Sequence, residues 1–286
     1  MRYLLFLNLL ILLSCTNTET NTLFEPQQSL GSISSEVKEA SGLAVSITNP
    51  GHLWTHNDGN NPARVFLINE KAEIVMTCKL KDAWNRDWED ITMGPGPEAG
   101  VPYVYVADIG DNDSRFRFKI LYRFKEPAVE DGKIEIENID KLVIRVPNGP
   151  RDTEAIMVDP RTSNFYLISK SERSVRLYEI KYPFASDTLQ AEVIGTLPFT
   201  NIVAADISPD GSEVLLKSYR DIYYWKRKEN ESILEVLLRK PALLNYEMEP
   251  QGEAITWNLD GSGFYTLSES KVIIGGTLYF YKRKQN

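Results

Sequence analysis

Five times along the chain, at intervals of 48 to 65 residues, a short apolar segment, a turn of Gly, Pro, Asn or Asp, and a second apolar segment follow one another. The copies start at Ser41-Gly42-Leu43, Glu89-Asp90-Ile91, Glu154-Ala155-Ile156, Ala205-Asp206-Ile207 and Glu253-Ala254-Ile255. Their turns, among them Asn49-Pro50-Gly51, Pro209-Asp210-Gly211 and Asp260-Gly261, use residues that tolerate positive φ or favour hairpins. An aromatic and β-branched third segment follows each pair, as in Val65-Phe66-Leu67-Ile68 and Ile222-Tyr223-Tyr224-Trp225, and this composition suits strands. Fourth strands are predicted at 73–80, 141–146, 192–197 and 233–238, and the fifth unit has none before the sequence ends. An orphan strand at Gly31 to Val37 precedes the first unit and can supply it. Repeats of this length mark propellers, and a closed ring removes the exposed sheet edges of an open array. The prediction is an all-β fold, a five-bladed β-propeller over 30–286 closed by the N-terminal strand. The alternative is six blades, with the insertion around Val129 to Ile139 hiding a degenerate one.

The N-terminus breaks the pattern. Arg2 and an apolar run from Tyr3 to Leu13, too short to span a bilayer, read as a signal peptide over 1–14. Leu12-Leu13-Ser14-Cys15 resembles the bacterial lipobox, which implies an acylated Cys15, a lipid-anchored protein and a place in the cell envelope, at the outer membrane. The Thr- and Asn-rich stretch at 15–29 reads as a flexible tether. Cys78 is then the one remaining thiol, in an apolar strand, so no disulfide framework forms within a mature monomer. With 32 basic and 40 acidic side chains the net charge is −8, which argues against nucleic acid as a partner.

In a propeller the first strand of each blade lines the channel, so Ser41, Glu89, Glu154, Ala205 and Glu253 are expected to face one another. Converging carboxylates repel, and a hard cation with oxygen ligands answers that repulsion. Ser41, Glu89, Glu154 and Glu253 are the expected metal ligands and Ca²⁺ the expected cofactor. Two histidines, His52 and His56, and no cysteine cluster exclude zinc. The order Ser, Glu, Glu, small, Glu resembles the axial calcium site of the calcium-activated apyrases, five-bladed nucleotidases, with Ala205 departing from their pattern. The strings Glu39-Ala40-Ser41-Gly42-Leu43, Thr55-His56-Asn57-Asp58, Asp87-Trp88-Glu89-Asp90-Ile91 and Asp108-Ile109-Gly110-Asp111-Asn112 are similar to a widespread group of secreted bacterial propellers, a likeness that implies no particular activity.

Residues that end the second strands should crowd the channel mouth. Asp58, Asp87, Asp111, Lys170, Lys217, Tyr219 and Arg220 are the expected ligand-binding residues, with acids over blades one and two and bases over three and four. His56 and Asp108 are the expected proton carriers if chemistry occurs. Asp108 to Asp113 lacks EF-hand spacing and reads as a turn. Three functions follow as expectations: a calcium-binding propeller taking an anionic small molecule or glycan at its mouth, an apyrase-like Ca²⁺-dependent phosphohydrolase, and, third, a glycoside hydrolase.

Overall fold

A computed structural model describes residues 20–21, 23–129, 132–270 and 276–285. The expected signal peptide and Cys15 lie outside the described residues. Five sheets form the body. Their inner strands are Ala40–Val45, Trp88–Pro95, Thr153–Val158, Ile202–Ile207 and Ala254–Trp257, and each touches the next, with the last returning to the first. The chain is therefore a closed five-bladed β-propeller.

Each blade meanders outward through antiparallel strands, in blade one from Ala40–Val45 through His52–Asn57 and Arg64–Asn69 to Ile74–Leu80. Both faces of a blade are covered by its neighbours, so stretches such as Val65 to Ile68 are buried at every position instead of alternating with polar residues. The apolar side chains form five cores, one in each cleft between adjacent blades. The ring closes through Gln28–Ser32, which pairs with Thr277–Lys282 as the outermost strand of blade five. This strand begins and ends earlier than the predicted Gly31 to Val37.

Two sequence expectations are corrected. The insertion makes no sixth blade, because Gly132–Ile136 adds a parallel outer strand to Ile74–Leu80 of blade one. Ile233–Leu238, predicted as a strand, is a six-residue helix. Its start is a capping box: the Ser232 hydroxyl accepts from the Glu235 amide while the Glu235 carboxylate accepts from the Ser232 amide. Ile233, Val236 and Leu237, at helical spacing, are its buried face. Ala242–Leu244 takes the fourth-strand place in blade four, and Thr20–Asn21 pairs with it.

The propeller also begins before residue 30. Phe24 is buried between blades four and five, 5.0 Å from Phe264 and 6.0 Å from Trp257, with the Arg283 guanidinium 4.9 Å from its ring. The part of the expected tether from Phe24 onward is thus docked on the sheets. Among the described residues no helix is long and apolar enough to cross a membrane.

Candidate functional site

The ladder between the first two strands of each blade pairs Gly42 with His56, Asp90 with Ala107, Ala155 with Ile168, Ala204 with Lys217 and Ala254 with Leu267. In blades one to four a residue is skipped just before that pair, a β-bulge at Ser41, Glu89, Glu154 and Val203. Glu253 holds the same place at the start of blade five. A bulge re-aims a side chain and interrupts pairing, and here it falls where the chain enters the channel. The fourth ring position is therefore Val203 and not Ala205, which lies two residues deeper.

Two flanking layers complete the mouth. Glu39, Asp87, Asp152, Asn201 and Gln251 stand two residues before the ring, and Asp58, Ile109, Lys170, Tyr219 and Glu269 two residues beyond its ladder partners. Backbone bonds join these layers, from the Asp58 amide to the Glu39 carbonyl and from the Lys170 amide to the Asp152 carbonyl. Within the three layers carboxylates dominate, and Lys170 is the one cation.

The carboxylates gather into two groups that share a member. Oxygens of Asp58, Asp87 and Glu89 lie within 4.8 Å of one another, and so do those of Glu89, Asp152 and Glu154. Burial, followed by the charge of Glu154, pushes Glu89 well above the ordinary carboxylate range. Burial lifts Glu154 to about 8 against the pull of Lys170, Asp58 to about 6, and Glu269, with help from Glu253, to about 8. Loop backbone closes tightly on these acids. A Cβ at Gly110 would stand 2.0 Å from Glu89 Oε1 and 2.5 Å from Asp87 Oδ2, and one at Gly59 would stand 2.5 Å from Asp87 Oδ1. Only glycine lets both loops approach so closely. The donors are all hard oxygens crowded around small spaces, and that set fits Ca²⁺.

The ring assembles differently from the expected ligand set. The Ser41 hydroxyl donates to the Glu89 carbonyl at 2.7 Å and ties blade one to blade two. Glu253 accepts from the Tyr219 hydroxyl and lies 3.9 Å from Lys170 Nζ, which is 2.9 Å from Glu154 Oε1. Burial would lower Lys170, but Glu154 and Glu253 overcome it and hold the ammonium charged. Of the expected ligands, Glu89 and Glu154 belong to the two carboxylate groups, together with Asp58, Asp87 and Asp152, whereas Glu253 lies outside them. Asp152 was missed, although Asp87-Trp88-Glu89 and Asp152-Thr153-Glu154 repeat one Asp-x-Glu spacing in consecutive blades.

Other expected residues take structural places. His56 is fully buried, its Nδ1 against the Asn57 carbonyl at 2.9 Å and its ring edge-on to Trp88, and burial drops it to about 4, so the imidazole stands neutral and shut away from the mouth. Lys217 is equally buried and meets Tyr246, the Gly252 carbonyl and Glu249. Both occupy the ladder position after the ring, which faces the neighbouring blade and not the channel. Asp111 folds its own loop, accepting from the Arg115 and Phe116 amides, and Lys119 Nζ stands 3.6 Å away. Asp108 lies behind Asp87, accepting from its amide and from Arg86 at 3.0 Å, and burial raises it to about 6. Arg220 is exposed in the turn directly after Tyr219. Of the expected bases, Lys170 is the one ion-paired with the channel acids. At the opposite end of the channel is a cavity of about 440 Å³, lined from all five blades by residues such as Leu43, Ile91, Val158, Ile207 and Trp257.

No family model matches the sequence, and no curated protein matches it. Among solved structures, the chain is similar to the PQQ-bound form of aldose sugar dehydrogenase from Streptomyces coelicolor. The TM-score is 0.52 at 10% identity, over 90% of this chain and 98% of that one. A gluconolactonase from Xanthomonas campestris gives 0.49 at 9% identity, over 90% and 89%, and hydrazine synthase of Kuenenia stuttgartiensis gives 0.48 at 10%, over 86% and 83%. At such identities the first likeness is one of fold, and the chain's chemistry rests on its own residues.

Proposed function

We propose that this chain is a lipoprotein of the bacterial cell envelope, anchored through Cys15 at the outer membrane, whose propeller holds Ca²⁺ at the channel mouth and there binds an anionic ligand. The observation that carries this reading is the pair of carboxylate groups sharing Glu89, with Lys170 as the sole cation of the mouth layers. Asp58, Asp87, Glu89, Asp152 and Glu154 are the ligand set, and bound Ca²⁺ supplies positive charge that draws an anion to an otherwise acidic rim. The test is a calcium titration of the metal-stripped protein, followed by thermal melting and calorimetry, with Mg²⁺ and a chelator alongside. Binding to the folded state alone stabilises by about 2.7 kcal/mol at a hundred times the dissociation constant. Identical melting with calcium and with chelator overturns the proposal.

The apyrase-like phosphohydrolase is a second reading, favoured by one contact. The Tyr219 hydroxyl, the Glu253 carboxylate and the Lys170 ammonium meet at the edge of the acidic groups, a proton donor, an acceptor and a cation such as phosphoryl transfer to water uses. Phosphate release from nucleoside diphosphates, measured with calcium and with chelator, tests it. Absence of release under both conditions leaves ligand binding alone.

A further inference from the structure

Blade two carries a surface unlike the rest of the rim. Arg115, Phe116, Arg117 and Phe118 form an alternating run in which all four residues are exposed, with Phe116 at 39% and Phe118 at 44%. Trp84, on the loop leading into the same blade, is 72% exposed. Its backbone is nonetheless fixed at both ends: the amide donates to the Tyr122 hydroxyl and the carbonyl accepts from the Trp88 indole, each at 3.3 Å. With the backbone anchored, only the two side-chain torsions of the indole remain to be ordered when it binds something. Arg86 connects this surface to the mouth. Its guanidinium lies 4.1 Å from the Phe116 ring centroid and is held by the Asp108 carboxylate at 3.0 Å and by the carbonyls of Asp108 and Phe118. The next residue, Asp87, belongs to the acidic groups. Arg145 stands 5.7 Å from the Phe118 ring.

We propose that this shelf receives an acidic polysaccharide chain, one rich in uronic acid residues, and leads it to the channel mouth. The proposal rests on the reading of that mouth as a cation-assisted anion site and names its ligand class. Sugar rings present flat C–H faces that pack on aromatic rings, and the carboxylates they carry pair with guanidinium groups in the planar, two-pronged geometry that arginine favours. Phe116 and Phe118 offer the first contact, and Arg117 and Arg115 the second, Arg115 by exchanging its exposed partner Asp113 at 3.1 Å. A protein partner is favoured less, because a stable interface of about 800 Å² per side has a largely uncharged centre, and here charge interrupts the aromatic surface at every second residue.

The experiment uses oligogalacturonates of defined short length and their fully methyl-esterified forms, which keep the ring faces and remove the charge. Binding is measured by calorimetry in calcium and in chelator, with Trp84→Ala and with Arg115→Gln/Arg117→Gln. These side chains are exposed, so melting temperatures and the calcium-induced shift should stay as in the unmodified protein. The acidic oligomer is expected to bind about tenfold or more tightly than the ester, and each variant to lose about tenfold, the scale of one stacking or charge-assisted contact. Equal binding of the ester, an unaffected Trp84→Ala protein, or capture of a protein through Trp84 with no glycan bound would each overturn the proposal. Absence of oligomer binding alongside an intact calcium shift overturns the glycan shelf alone, whereas absence of both overturns the cation site as well.

Discussion

Replacing Glu89 by Gln should make the calcium-free protein more stable and the calcium-loaded protein less so. Glu89 is the member common to both carboxylate groups, and the oxygens within each lie within 4.8 Å of one another. Two ionised carboxylates at that separation repel by about 3.5 kcal/mol at an effective dielectric of about 20. The native protein relieves part of this by retaining protons, since Glu154 titrates near 8 and Glu89 well above its ordinary range, so the recoverable gain is about 1–3 kcal/mol. The sign follows from linkage. An acid whose folded pKa exceeds its unfolded value costs nothing where both states are protonated, and the cost grows as pH rises from about 4.5 toward about 8. E89Q and the native protein should therefore melt together near pH 4.5 in chelator. By pH 8.5 the variant should melt roughly 2–12 °C higher, given about 2–4 °C per kcal/mol for a domain of this size. With calcium the order reverses, because the native protein gains binding energy and E89Q has lost the shared ligand. Scanning calorimetry at three pH values, with and without calcium, reads all of this. A variant less stable than native at pH 8.5 in chelator, or one that keeps the native calcium shift, would refute the reasoning.

Gly110→Ala should weaken calcium affinity by about tenfold or more, because its Cβ would meet Glu89 Oε1 at 2.0 Å and push the carboxylates apart; calorimetry checks this, and native affinity counts against the close-approach argument. Lys217→Met leaves Glu249 buried without its cation and should cost about 3–5 kcal/mol in urea unfolding, recovered in large part when Glu249 is also made apolar, with calcium stoichiometry unchanged. Phe24→Ala should cost about 3–5 kcal/mol by emptying the aromatic cleft between blades four and five; an unchanged melt would mean that the segment before residue 30 is a tether after all.

The blades were legible because both faces of every sheet are covered. Runs such as Val65 to Ile68 and Val104 to Ala107 need apolar residues without interruption, and the Gly, Pro and Asp turns between them break the pattern at regular steps. Glu89, Glu154 and Glu253 were legible as equivalents for the same reason. Val203 was not, because an inserted bulge residue changes the count from the turn to the channel and an apolar side chain gives no sign of it. His56 and Lys217 were placed at the mouth from their distance along the strand, yet the bulge turns the residue opposite it toward the next blade. Ile233 to Leu238 has apolar spacing that suits either a buried strand or a short helix. The Ser232 and Glu235 pair, readable in the sequence, decides it.

The bulges also explain how a ring of mutually repelling acids persists. Immediately after the bulged Glu89, Asp90 turns away from the channel and accepts from the Ile156 amide of blade three at 2.9 Å. Deeper in blade four, Asp206 accepts from the Trp257 amide of blade five at 2.8 Å and from the Thr256 hydroxyl. Both carboxylates are driven up by burial, and the hydrogen bonds oppose that rise, so each is held as a fixed acceptor between neighbouring blades. The Ser41 hydroxyl makes a similar tie from blade one to blade two. Repulsion that retained protons do not relieve can push the acids apart only if blades separate, and separation would break these ties and open the apolar clefts behind them. The stability of the closed ring thereby keeps the acids of blades one, two and three at the separation a cation can bridge, and the electrostatic cost at the hub is borne by contacts that take no part in binding.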